Sequence, residues 1–162
     1  MSGDSVPSDT LELIYDAALD PALWRNVVQD VAEKTGGDQG ALIMQNQFSG
    51  EGDAILSNVD PAAIGEYFGH FATRNPMQRH NLKYLEQGIG HSLGVMTDTD
   101  IISRDDLRRT EYYNDFMRRF GMYSTLMLGL AFDSTDGTSI AITRPEGQDD
   151  FGDTELQLGR AL

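Results

Sequence analysis

The sequence has 162 residues, 40% of them hydrophobic and 23% charged, with a formal net charge of −14. That length suits one domain with a sizeable core, and the acidity argues against a surface that grips nucleic-acid phosphates or an anionic membrane. The lack of cysteine excludes disulfides, thiolate metal sites and cysteine nucleophiles, and fits a reducing, cytoplasmic setting.

In chain order, Met1–Ser8 is polar and lacks the apolar core of a signal peptide, so it is expected to be a disordered lead-in to a single domain over residues 9–162. Leu11, Ile14, Tyr15 and Ala18 predict an amphipathic helix ending near Asp20-Pro21. A second helix, capped by Asp20, carries Leu23, Trp24, Val27, Val28, Val31 and Ala32 and stops at Gly36-Gly37. Gly40–Phe48 and Ala54–Ser57 read as strands about a turn at Ser49–Asp53. Asp60-Pro61 opens a third helix with an aromatic stripe (Ile64, Tyr67, Phe68, Phe71, Ala72), closed by Asn75-Pro76. Met77–Thr99 is the least regular stretch, with a short helical turn at Leu82–Leu85 and a strand over Ile89–Met96.

Ser103–Arg144 carries the clearest signal. Leu107, Thr110, Tyr113, Met117 and Phe120 share one face of a predicted long helix, Ser103–Phe120, with a Ser103 cap, acids in the first turn and a stop at Gly121. Its arginines, 104, 108, 109, 118 and 119, read as a solvated face. Tyr123–Phe132 then alternates Leu126, Leu128, Leu130 and Phe132 with the slim Met127, Gly129 and Ala131. A turn at Ser134–Gly137 leads into the strand Thr138–Arg144. Phe151–Leu162 predicts a last helix with Glu155 in reach of the Gly152 amide. The chain ends inside it without a stop signal, as expected of a piece of a longer protein. The longest apolar run, around Leu126–Phe132, falls far short of the ~20 residues of a membrane-spanning helix.

Four segments resemble bacterial LuxR-type transcriptional regulators: Leu13–Trp24, Tyr67–Pro76 with its Arg-Asn-Pro ending, Glu111–Phe116 (Glu-Tyr-Tyr-Asn-Asp-Phe), and Phe151–Leu156 before a connecting helix. The resemblance spans roughly Leu11 to Leu162. It implies an N-terminal PAS/GAF-like sensor of a protein whose DNA-binding helix-turn-helix lies outside this chain. It also implies α+β architecture: a five-stranded antiparallel sheet with helices on both faces, enclosing a small-molecule cavity. The lactone receptors of the wider family use a tryptophan and an aspartate in their pocket. Here the only tryptophan, Trp24, falls in a helix, which points away from a lactone.

On that architecture the slim strand face leaves room for a ligand, and Met44, Tyr67, Phe71, Met77, Tyr84 and Met127 are the candidate lining. Plain core packing accounts for the same methionine and aromatic spacing. His70, His80 and His91 meet no metal-ligand spacing, and Asp98, Asp100, Asp105 and Asp106 read as turn and cap residues, so no metal, cofactor or catalytic residue is expected. Gly88–Gly94 lacks the spacing of a dinucleotide loop. The expected role is ligand sensing and homodimerisation through the terminal helices. A ligand-free interaction module and a small enzyme are the alternatives.

Overall fold

Five strands, Gln39–Asn46 (β1), Gly52–Ser57 (β2), Val95–Thr97 (β3), Ser124–Phe132 (β4) and Asp136–Arg144 (β5), form one antiparallel sheet in the order β2-β1-β5-β4-β3. The computed structural model describes residues 6–86, 94–133 and 135–162, the side chains of residues 84–86 excepted. Helices cover both faces, so the α+β class and the five-stranded antiparallel sheet are as expected. The predicted third strand, Ile89–Met96, lies mostly outside the described residues; within them the strand is Val95–Thr97.

One face of the sheet is filled by bulky side chains. Leu42, Leu126, Leu128, Ile140 and Ile142 are buried there and pack against Val27, Val28 and Val31 of α2 (Trp24–Lys34), and against α1 (Ser8–Leu19) and α6 (Asp153–Arg160). Burial of each such side chain contributes about 1.5–3 kcal/mol. Gly40 lets α2 press on β1, because a Cβ there would meet Val28 Cγ1 at 2.7 Å. Gly36 ends α2 with φ +72°, a conformation in which a side chain is strained.

The first helix forms as expected but turns a different side inward. Thr10 and Ala17 are buried, with Leu13 and Ile14 packed on the same core, while Leu11, Tyr15 and Leu19 face outward. Electrostatics fix this rotation: the Thr10 hydroxyl donates to Asp30 Oδ2 (2.7 Å), and Lys34 Nζ donates to Thr10 and Asp30.

The predicted long helix Ser103–Phe120 is broken. Arg104–Arg108 (α5) ends at Arg109, and a wide π-helical turn, Tyr112–Met117, follows. Two side chains bond to carbonyls at the break: Thr110 Oγ1 donates to the Leu107 carbonyl (2.6 Å), and Asn114 Nδ2 donates to those of Arg108 and Thr110. The third helix behaves alike, with Ala62–Glu66 (α3) passing into a π-helical turn, Tyr67–Phe71.

Asn75-Pro76 closes that helix and also opens another. Pro76 is the first residue of α4 (Pro76–Glu86), and Asn75 Oδ1 accepts from the Met77 amide, so the first part of the stretch expected to be irregular, Met77–Glu86, is helical. In β4 the alternation breaks at a bulge, since Gly129 pairs with Ser139 and Ala131 with Thr138, which leaves Leu130 exposed.

The arginine cluster is not uniformly solvated. Arg104 is largely buried and makes two 3.1 Å contacts to the buried Asp98 carboxylate, which also accepts from the Thr125 amide. Asp98 therefore anchors the β4 edge rather than serving only as a turn residue. Asp100, by contrast, does cap, accepting from the Thr97 amide.

Candidate functional site

The other face of the sheet carries the opposite residues of each strand, and they are small or polar. Ala41, Ala54, Ala141, Ser139, Thr125 and Thr143 make a floor too shallow to reach the helices above it, and only Ile43, Leu56 and Met127 add bulk. The result is a cavity of about 100 Å³ between this floor and α3, α4 and the two π-helical turns. That is of the same order as the roughly 150 Å³ hole that accommodates benzene, and well above the room one water needs.

The lid is aromatic. Phe116 sits at its centre, with ring centroids 5.6 Å from Tyr67, 5.4 Å from Tyr112, 5.3 Å from Phe71 and 5.2 Å from Phe120. The two π-helical turns thus meet over the cavity. Such turns are frequent at functional sites, where the extra residue re-aims side chains. Across the top, His70 of one turn and Glu111 at the start of the other are hydrogen-bonded, and Arg74 adds a second contact to the same carboxylate (3.2 Å). The His70 bond, aided by Arg74, holds the Glu111 carboxyl below its ordinary range.

The polar groups of the cavity are hydroxyls and amides. The Tyr67 hydroxyl donates to Gln45 Oε1 (3.2 Å) and accepts from Asn75 Nδ2 (3.0 Å); burial pushes its phenol up to about 12. Burial likewise drives the Tyr112 phenol well above its ordinary value. Both tyrosines are therefore neutral at physiological pH. No Asp, Glu, Lys, Arg or His lines the cavity among the described residues.

Five buried side-chain oxygens in the described structure lack a protein partner: those of Gln39, Gln47, Gln78, Asn81 and Thr143. All five residues line this cavity. A buried polar atom without a partner is costly, so their convergence on one hollow marks it as a place built to meet a polar group.

The candidate lining residues divide. Tyr67, Met77 and Met127 line the cavity. Phe71 is buried behind the lid, against Phe116, and is not on the wall. Met44 lies on the opposite face and is 40% exposed, because it shares the parity of Gly40 and Leu42 along β1, whereas Ile43 and Gln45 point to the cavity. The Tyr84 side chain is outside the described residues. Sequence reasoning missed the amides and Phe116. Its one available clue was Gln39, Gln45 and Gln47, polar residues in step with Ala41 and Ile43 on a strand expected to be buried.

Among the described residues, no group of three acidic or histidine side chains is placed to hold a metal ion, and no helix is long and apolar enough to cross a membrane. No family model matches the sequence, and no curated protein matches it. Among solved structures, the fold is similar to that of the VqsR LBD domain from Pseudomonas aeruginosa. The two share 17% identity with a TM-score of 0.69, over 93% of this chain and 85% of that one, a likeness of fold.

Proposed function

We propose that this chain is the ligand-sensing and dimerisation domain of a LuxR-type transcriptional regulator, working in the cytoplasm as a homodimer and controlling a DNA-binding module of the same protein. The carrying observation is the cavity, lined among the described residues by neutral side chains and bordered by buried oxygens without protein partners. Recognition needs such groups, whereas acid–base or nucleophilic catalysis needs a poised titratable group or an activated nucleophile. Among the described residues the only ionisable side chains on the wall are Tyr67 and Tyr112, and burial raises both phenols, so they stay protonated. Likeness in fold to a solved LBD domain supports the sensing role. The exposed stripe Leu11, Tyr15 and Leu19, one helical turn apart on α1, supports pairing through the terminal helices. Tyr67, Met77 and Met127 are the residues of the expected lining that would touch the ligand, with the cavity amides beside them.

A thermal-denaturation screen against a metabolite library tests this reading. A binder in excess of its Kd by 100-fold stabilises the folded state by about 2.7 kcal/mol, and chromatography of the incubated mixture is expected to return the compound unchanged. Conversion of the compound would make the protein an enzyme. Failure of every compound to shift the melting temperature would remove the sensing role.

A further inference from the structure

We infer that the cavity is selective for an uncharged molecule whose N–H or O–H groups donate to Gln47, Gln78 and Asn81; this rests on the sensing role. These three residues are 4%, 6% and 5% exposed. Gln78 and Asn81 stand three residues apart on α4, hence on one side of it, and Gln78 reaches across to the residue that follows β1.

The direction of two of the amides is settled by their neighbours. Gln78 Nε2 donates to the Gln47 carbonyl (2.9 Å), and Gln47 Nε2 donates to the Gln45 carbonyl (3.1 Å). A backbone carbonyl only accepts, so each nitrogen must face it, and each side-chain oxygen is the end left over. Asn81 makes no side-chain hydrogen bond among the described residues, and its oxygen is buried without a protein partner. The cluster therefore offers acceptors.

A donor-bearing group satisfies them. An ether, a tertiary amide or a carboxylate would set lone pairs against lone pairs. Net charge is disfavoured in either sign, because the lining among the described residues contains no side chain to pair with a buried ion. Ile43, Phe68, Met77 and Met127 give the rest of the molecule an apolar bed.

Four probes of one shape separate these features: benzamide, N,N-dimethylbenzamide, benzoate and benzylamine, titrated by ligand-observed NMR into the wild-type chain and Asn81→Leu. Benzamide is expected to bind at least ten-fold more tightly than the other three, and to lose about ten-fold in Asn81→Leu. The same variant is expected to melt higher than wild type without a probe, since it removes a buried oxygen that has no protein partner. Asn81→Ala, which removes the amide without adding bulk, repeats the binding test should the leucine fail to fold. The inference is overturned if the dimethyl or charged probes match benzamide, if the Asn81 variants keep full benzamide affinity, or if none of the four binds at millimolar concentration. It is equally overturned if crystals with benzamide retain ordered water on all three oxygens. Each of these leaves the sensing role intact, which is tested separately by the melting-temperature shift and the unchanged recovery of a metabolite.

Discussion

The two faces of one sheet differ in what their side chains do. On the α2 side, Leu42, Leu126, Leu128, Ile140 and Ile142 fill the space to the helices. On the lid side, alanines, serine and threonines stop short, and amides and tyrosines reach into the gap. Strand alternation makes this possible: residues 141 and 142 are covalent neighbours, yet one borders a hollow and the other is at the centre of the core. On the lid side the aromatic cluster packs within the helices above the sheet, which frees the sheet face beneath it to carry groups that packing alone would not select.

The sharpest way to break that contrast is to mutate the neighbours. Ile142→Ala leaves a hole in a closed core and is expected to cost about 2–5 kcal/mol in urea denaturation. Ala141→Leu adds volume where a packed interior would be strained by about 1–3 kcal/mol. Entering a hollow, it is expected to change stability by less than about 1 kcal/mol while abolishing ligand binding in a thermal-shift assay. Equal costs at the two positions would mean that the faces are packed alike.

A second contrast sets the cap of α6 against the lid. Glu155 accepts from the Gly152 amide (2.8 Å) and from Arg144 (2.9 Å). Its partly buried position opposes ionisation, but these two bonds outweigh that and lower its pKa. A lowered carboxyl pKa contributes stability above the unfolded value, near 4.5, and that contribution is lost as pH falls through the folded value. Glu155→Gln is therefore expected to cost about 1–2 kcal/mol at pH 7 and progressively less toward pH 3, as melting curves across that range would record. Because Arg144 and Glu155 join β5 to α6 away from the cavity, ligand affinity is expected to be unchanged. A loss of affinity would show that the two regions are coupled.

The smallest effect on the fold is expected outside both faces. Leu19 is 88% exposed and Tyr15 69%. Tyr15→Glu with Leu19→Glu is expected to shift stability by no more than about 0.5 kcal/mol and to convert dimers to monomers in sedimentation equilibrium. A wild-type chain that sediments only as monomer would end the pairing proposal.

Much of the fold could be read from the chain because the packed face obeys simple periods. The alternation in β4 and β5 and the stripe of α2 follow directly from Leu126, Leu128, Ile140, Ile142, Val27 and Val31. The cavity face was harder to read. In β1 both parities carry apolar residues, Ala41 and Ile43 against Leu42 and Met44, so periodicity could not say which parity faced the hollow. The break after Arg108 depends on Thr110 and Asn114 bonding to backbone carbonyls, a competition that apolar spacing does not register. Gln78 and Asn81 were hidden because Pro76 reads equally as a stop and as a start. Glutamine and asparagine are usually exposed, so only the assembled helix turns them inward.

The central claim is that the hollow face holds a small molecule and leaves it unaltered. Native mass spectrometry of the purified wild-type chain beside Ala141→Leu tests it most directly, after both are incubated with a hit from the metabolite screen. The account predicts a one-to-one adduct of the compound's own mass on the wild type, released intact on activation and missing from the variant. An adduct that persists when the cavity is filled, or a released molecule of altered mass, would contradict it.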